Sequence, residues 1–389
     1  MLDIQRLFEA IRDEGLAGWL VCNSHHRDEI ADLVLGVTRE RTNTRPWVCL
    51  LPAAGEPVKV VHAMEAGILD GVPGRVMPYS TRAQFTGALA SVLPRGVPLA
   101  ANFSVNTPVS SFLDHGTALL VQSLGVTLVS AESLIARALG AIDERGFDSH
   151  QAAAAVLYRI VPQVWSRLAR QLKDAGSVRE GEVRDWIATG IADAGLVSDA
   201  LPIVAAGSHS GNPHFECVGA GSELKAGDVI QFDLWARQPQ EGAVYADISW
   251  VGVLGTKPTP AQQETFQTVV AAREEALRFI EAGLAEGRAV RGEDVDRAAR
   301  QTIEGRGYSA GLRHRTGHSI GGRVHGFGVN LDSIEFPDRR VLRDGACFSV
   351  EPGLYGSEFG MRTEVDCCIR GGRLVVSGAE RQRTLLVLA

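Results

Sequence analysis

Leu224-Lys-Ala-Gly-Asp-Val-Ile-Gln-Phe-Asp233 and Leu342-Arg-Asp-Gly-Ala-Cys-Phe-Ser-Val-Glu351 are two copies of one passage. Each reads Leu, a basic residue, any residue, Gly, and then an apolar run closed by a carboxylate. Each is followed, at a similar separation, by a second carboxylate in another strand-like stretch: Asp247 after Asp233, and Glu364 after Glu351. A carboxylate ending an apolar run is expected to be buried, and buried charge is costly unless it is paired or bound to a metal. Two matched pairs in two duplicated halves predict four carboxylates meeting across a pseudo-twofold axis. Such a geometry holds two hard divalent cations.

The flanking sequence repeats with them. Helices are expected at about 148–175 and 180–195 before the strands carrying Asp233 and Asp247, then at about 260–284 and 293–306 before those carrying Glu351 and Glu364. Upstream, the texture differs. Ile4, Leu7, Phe8 and Ile11 recur at helical spacing, a strand follows at 19–22, and 46–51 with 57–62 read as a hairpin. Helix and strand then alternate (81–93, 97–102, 126–130, 131–139). The fold class is α+β: an N-terminal mixed α/β domain over 1–145, then a pseudo-twofold domain over 146–389 with helices on one face of a sheet. Two domains also suit a chain of 389 residues.

A net charge of −7 argues against a nucleic-acid partner, which would need a basic face. No apolar run is long enough to span a membrane, and no signal peptide is evident, so a cytoplasmic protein is expected. The six cysteines show no CxxC spacing and sit largely in apolar runs, as reduced, packed thiols. Adjacent Cys367 and Cys368 point to opposite faces of a strand and are poor ligands for one metal.

His314-Arg-Thr-Gly-His318-Ser-Ile-Gly-Gly-Arg-Val-His325 supplies nitrogen to such a site. Glycines at 317, 321 and 322 argue against a helix and for close backbone approach. Oxygen-rich ligands with one imidazole suit Mn, Co, Fe, Mg or Zn. By contrast, Cys217 reads as packing, and His209 and His25-His26 as loop residues.

These residues together resemble the pita-bread metallopeptidases, the family of Xaa-Pro aminopeptidases, prolidases, methionine aminopeptidases and creatinase. The resemblance covers about 148–389 and rests on Val350-Glu-Pro-Gly-Leu-Tyr355 and Gly360-Met-Arg-Thr-Glu364, with Gln231-Phe-Asp233, Tyr245-Ala-Asp247 and Thr316-Gly-His318. It implies a dinuclear site of Asp233, Asp247, His318, Glu351 and Glu364, with Asp247 and Glu364 bridging two divalent metals, Mn foremost and Co, Zn or Fe compatible. It implies that a bridging hydroxide hydrolyses Xaa-Pro bonds in short peptides, as an Xaa-Pro aminopeptidase or dipeptidase. Glu351 would be general base and proton shuttle, His214 and His325 would contact substrate and the tetrahedral intermediate, and Arg362 and Tyr245 would support the ligands. The family's N-terminal domain implies a homodimer, with 1–145 serving assembly and gating.

Three departures stand out: a lengthened Asp233–Asp247 connection through Gln238-Pro-Gln-Glu-Gly, Trp235 in place of a small residue, and Gly-Phe-Gly after His325. The rival reading is a metal-free, creatinase-like C–N hydrolase or a non-catalytic peptide-binding relative, in which the ligand set degenerates.

Overall fold

A computed structural model describes residues 4–378 and 380–388. The chain divides into two compact units, the first ending at Leu139 and the second beginning at Gly140. That division precedes the expected 145/146 boundary. Residues 141 and 142 already belong to the second unit: Ala141 pairs with Ala346, and Ile142 N–H donates to Gly345 O at 2.8 Å.

The first unit contains α1 (Ile4–Asp13), β1 (Gly18–Asn23), α2 (Glu29–Leu35), β2 (Trp47–Pro52), β3 (Val58–His62) and β4 (Arg75–Tyr79). It continues through α3 (Arg82–Val92), β5 (Pro98–Ala101), α4 (His115–Ser123), β6 (Thr127–Ser130) and α5 (Glu132–Leu139). Its strands form one sheet in the order β4-β3-β2-β1-β5-β6. The β2–β3 hairpin is present, with Val48 opposite Val60. Helix α1 buries Leu7, Phe8 and Ile11, the residues whose spacing predicts it. The His25-His26 loop departs from expectation. Both residues have positive φ (57° and 51°), and His26 is pinned between Asp32 Oδ2 at 2.8 Å and Arg41 O at 2.9 Å. Only His25 is exposed.

The second unit opens with α6 (Glu144–Ala175) and α7 (Glu180–Asp193), followed by β7 (Ile203–Ala206), β8 (Val229–Ala236) and β9 (Ala246–Leu254). Helices α8 (Pro260–Ala285) and α9 (Gly292–Glu304) come next. The rest is β10 (Cys347–Val350), β11 (Gly353–Tyr355), β12 (Gly360–Arg362), β13 (Val365–Arg370), β14 (Arg373–Val376) and β15 (Leu386–Leu388). Helix α6 starts earlier than its apolar pattern suggests because Asp143 caps it, accepting from Gly146 N–H at 2.8 Å. Thr259 and Gln262 form a capping box for α8, with Pro260 in its first turn.

These strands form three sheets: β15-β9-β8-β7, β10-β13-β14, and the pair β11-β12. Alternation along β8 separates two environments. Ile230, Phe232 and Leu234 pack into an apolar cluster with Leu157, Val161 and Trp165 of α6 and Ile187 of α7. Gln231, Asp233 and Trp235 therefore face the other way. Asp233 lies within β8, which runs on to Ala236, and not at a strand end as expected. Among the described residues, no helix is long and apolar enough to cross a membrane.

Trp165 and Phe232 meet with ring centroids 4.9 Å apart, joining α6 to the strand that carries Asp233. Trp165→Ala should cost about 3–5 kcal/mol of stability, read by urea denaturation. A change below about 0.5 kcal/mol would show that this contact does not hold the two elements together.

Candidate metal centre

Within the second unit, a cavity of about 220 Å3 gathers Asp233, Asp247, His318, Glu351 and Glu364 on its walls. Strands β8 and β9 deliver the first two, in antiparallel register with Asp233 opposite Ser249 and Trp235 opposite Asp247. Asp247 and Ser249 are two residues apart and share a face of β9. Glu351 follows β10 directly, and Glu364 lies between β12 and β13.

His318 arrives on an irregular segment laid against β10. Ser349 N–H donates to His318 O at 2.9 Å, and Glu351 N–H donates to Thr316 O at 2.7 Å. Gly317 permits this approach: a Cβ there would stand 2.0 Å from Ser349 O. His318 Nδ1 lies 3.2 Å from Ser319 O. Donation there leaves the Nε2 lone pair aimed at Glu351 Oε1 (3.4 Å) and Asp247 Oδ2 (3.6 Å).

Positive charge is scarce around these acids. The Arg362 guanidinium donates to Asp233 Oδ2 through Nη2 and to Ser249 Oγ through Nε at 3.0 Å. The same Nε lies 3.6 Å from Glu351 Oε2. Ser249 Oγ stands 2.9 Å from both Asp233 Oδ1 and Glu364 Oε2. With one proton, a hydroxyl serves one of these carboxylates at a time. Among the described residues, Asp247 Oδ1 and Glu364 Oε1 are buried without any hydrogen-bond partner.

The acids titrate accordingly. Burial, then Asp233 and Glu351, push Asp247 well above the ordinary carboxylate value. Burial, then Asp247 and Glu351, do the same to Glu364. For Glu351, burial is outweighed by His318, Arg362 and His314, so its carboxyl is lowered. Nearby carboxylates resist ionising together unless a cation is supplied. Asp247, Glu364 and His318 each place a ligand atom within 4.8 Å of the others. Hard oxygens, one imidazole and two orphaned carboxylate oxygens on the expected bridging residues fit divalent cations.

The expected non-ligand residues divide. His214 and His325 both line the cavity. His325 is exposed along part of its ring, which meets His318 edge to face at 4.4 Å between centroids. Burial of the remainder, with His318 and Arg315 nearby, lowers its pKa. Tyr245 is not among the lining residues. It is buried, with Arg237 above its ring and its carbonyl 2.6 Å from His150 Nδ1. Tyr245 directly precedes β9.

Sequence reasoning assigned no role to Ser249, Gln231 or Tyr355, and counted His314 only among three clustered histidines. Gln231 accepts from Arg362 N–H at 2.9 Å and returns a bond to Arg362 O at 3.2 Å. Tyr355 OH links Arg362 Nη1 (3.1 Å) to His314 Nε2 (2.8 Å). Burial lowers His314 to about 4. Ser249 and Gln231 were accessible from strand alternation with the aspartates.

His209 lies outside the cavity, held by Glu180 at 2.9 Å and stacked on Phe215. The six thiols are free. Cys347 and Cys368 come within 3.3 Å beside buried His150. The His150 nitrogens already bond to Tyr245 O and to Ser377 Oγ, at 2.6 and 2.7 Å.

Comparison with known proteins identifies a family and a shared fold. Residues 148–371 match the family model described as metallopeptidase family M24. The probable dipeptidase PepE of Mycobacterium tuberculosis is 27% identical over 352 residues, covering 89% of this chain and 85% of that protein. The Xaa-Pro dipeptidase of Lactobacillus helveticus is 32% identical over 166 residues, 42% of this chain and 40% of its own. Among solved structures, dipeptidase PepE from Mycobacterium ulcerans superposes with a TM-score of 0.71 at 23% identity, covering 99% of this chain and 96% of that one. The N-terminal domain of the chickpea FACT complex subunit SPT16 also superposes, with a TM-score of 0.64 at 12% identity and coverage of 97% and 96%. The fold alone therefore does not carry an activity.

Gly317→Ala should destabilise the chain by about 1–3 kcal/mol and weaken divalent-cation binding about 10–100-fold, as loss of ligand support does. Calorimetric titration with Mn measures the second effect, and unchanged affinity would contradict the close-approach argument. Chelator-treated protein should gain about 2.7 kcal/mol at a free cation concentration 100 times Kd. A melting temperature indifferent to added cation would remove the metal centre.

Proposed function

The chain belongs to metallopeptidase family M24, and we propose that it is a dinuclear metal-dependent peptidase hydrolysing Xaa-Pro bonds in short peptides. Hydrolysis of peptides follows from the family and its dipeptidase relatives. The observation carrying the finer reading is the pair of unpartnered carboxylate oxygens, Asp247 Oδ1 and Glu364 Oε1. They lie on the two residues that would bridge two cations, Mn foremost. Asp233 would complete one position, and His318 with Glu351 the other. Divalent cations there would polarise the scissile carbonyl and lower the pKa of water.

The chain's own groups account for the proton chemistry. Glu351, held ionised, takes a proton from the attacking water and delivers it to the leaving nitrogen. Any peptide leaving group needs that proton to depart as a neutral amine, and on proline it becomes the N–H that the imide lacked. Arg362 and the His314–Tyr355 link fix the carboxylates while this happens. His325 and His214 donate N–H to the oxygen on which charge develops. The M24 relative from Lactobacillus helveticus, an Xaa-Pro dipeptidase, supports proline as the residue after the cleaved bond. A metal-free reading is disfavoured by the complete ligand set. The proposal includes a cytoplasmic homodimer assembled through the N-terminal unit, which light scattering checks: a monomeric mass would remove it.

Chelation should abolish activity, and Mn or Co should restore it. Emission spectroscopy should find up to two divalent ions per chain. Asp247→Ala and Glu364→Ala should each lose metal and turnover together. His325→Ala should retain metal while kcat falls about a hundredfold. Metal loss in the His325 variant would show that its role has been misplaced, and full activity without metal would end the proposal.

A further inference from the structure

Strands β10 and β13 place two thiols where a bond can form between them. Cys347 stands opposite Cys368 in antiparallel register, and their sulfurs lie 3.3 Å apart. At the neighbouring position Ile369 N–H donates to Ala346 O at 2.9 Å, while the Cys347 carbonyl turns away to receive Ile320 N–H at 2.8 Å. The Cys347–Cys368 position is therefore a non-hydrogen-bonded one, where opposed side chains approach most closely. Alternation puts Cys367 on the other face of β13. Both paired thiols are buried and free.

His150 of α6 completes the cluster, with one ligand atom of each residue within 4.8 Å of the others. The trio resembles a soft-metal site, but the ring is turned wrongly for one. Nδ1 donates to Tyr245 O at 2.6 Å, and Nε2 meets Ser377 Oγ at 2.7 Å. Cys347 Sγ stands 3.9 Å from one ring nitrogen and 4.0 Å from the other, so it lies on the lone-pair axis of neither. The surroundings act on the thiols instead. The bond from Cys347 and the His150 ring together outweigh burial and draw the Cys368 thiol down to about 5. Burial pushes Cys347 well up. One sulfur is thus ready to attack, and its neighbour keeps its proton.

The pair also brackets the proposed metal ligands. Cys347 lies four residues before Glu351, and Cys368 four residues after Glu364. The Ile320 N–H that the Cys347 carbonyl receives lies two residues beyond His318. A bond between the sulfurs would close a loop holding two of the ligands and draw on the segment that carries a third.

We propose that Cys347 and Cys368 are an oxidisable pair, closed by a hydroperoxide to a cross-strand disulfide that loosens the metal centre's hold on its cations. The Cys368 thiolate attacks the peroxide, whose O–O bond breaks to leave a sulfenic acid. The departing hydroxide takes up the proton that Cys368 had released and leaves as water. The Cys347 sulfur then attacks the sulfenic sulfur. The S–O bond breaks as the S–S bond forms, and hydroxide leaves with the Cys347 proton as a second water. Two electrons pass from the sulfurs to the peroxide. Closing the gap from 3.3 Å to about 2.05 Å draws β10 and β13 together and shifts Glu351 and Glu364. The cross-link stands independently of the peptidase reading, and its effect on cations rests on the metal centre.

The test treats chelator-stripped, full-length protein with hydrogen peroxide and maps its unreduced peptides by tandem mass spectrometry. A Cys347–Cys368 bridge, two hydrogens lighter than the free thiols, should form and should disappear with dithiothreitol. Cys367→Ser should still form it, whereas Cys347→Ser and Cys368→Ser should not. Mapping the unaltered chain decides the bond even where a core variant fails to fold. Calorimetric titration should then find Mn bound about tenfold more weakly after oxidation and restored on reduction. Cys347→Ala should keep its Mn affinity through the same treatment. Both thiols left free by peroxide, or a bridge through Cys367, would overturn the proposal. So would a bridged chain whose Mn affinity equals that of the reduced one. Reduced protein that binds no Mn, yet forms the bridge, would remove the metal centre and the coupling to it while supporting the oxidisable pair.

Discussion

Repulsion among four buried carboxylates is the constraint that the second unit is built to bear. Two unit charges 4 Å apart interact by about 4 kcal/mol at an effective dielectric of 20, and several such pairs share this space. The surrounding groups fix position more than they supply charge. Gln231 clamps the Arg362 backbone on both its N–H and its carbonyl. Buried Arg273 reaches from α8 to Thr363 Oγ1 at 2.7 Å, next to Glu364, and to Gln382 O at 2.9 Å. Asp366 accepts the Asp247 backbone N–H at 2.7 Å. With positions held and charge unmet, the repulsion is relieved by protonating Asp247 or Glu364 or, with all four ionised, by a bound cation. Preorganisation therefore costs stability in the metal-free chain.

The duplicated passage does not build the same local structure twice. In the first copy, Asp233 and Asp247 lie within two long paired strands, and their alternate neighbours pack on α6 and α7. In the second, the ladder is broken into β10, β11, β12 and β13, with Glu351 and Glu364 at the breaks. Pro352, directly after Glu351, has no N–H to donate and cannot continue a central ladder. One half thus offers ligands from a continuous hairpin, and the other from short strands that meet it.

That difference sets what could be read from the sequence. The carboxylates, His318 and the glycine beside it were legible, because charge in an apolar run needs a cation and a glycine beside a ligand leaves room for close backbone approach. Strand limits were not, since Asp233 closes the apolar run in sequence while pairing continues to Ala236. Tyr245 stands off the cavity wall, buried just before β9. Helices α2 and α4 were missed for local reasons. The first has seven residues, too few for a period to emerge, and the second masses Ala118, Leu119, Leu120 and Val121 in one run. The Arg362–Tyr355–His314 link joins elements distant in sequence, so no spacing announces it.

Fixed charge and neutral rings play different parts around these acids. A guanidinium locked among acids, as Arg362 is, makes the same contacts whether or not a peptide is present. Its contribution is to have oriented Asp233 and Glu351 beforehand, so that no reorganisation is needed when charge develops. Neutral imidazoles stand beside it. Burial lowers His314 and His325, so neither adds charge that would compete with metal for the carboxylates. Fixed charge orients the acids, and neutral rings stand by without drawing on their charge.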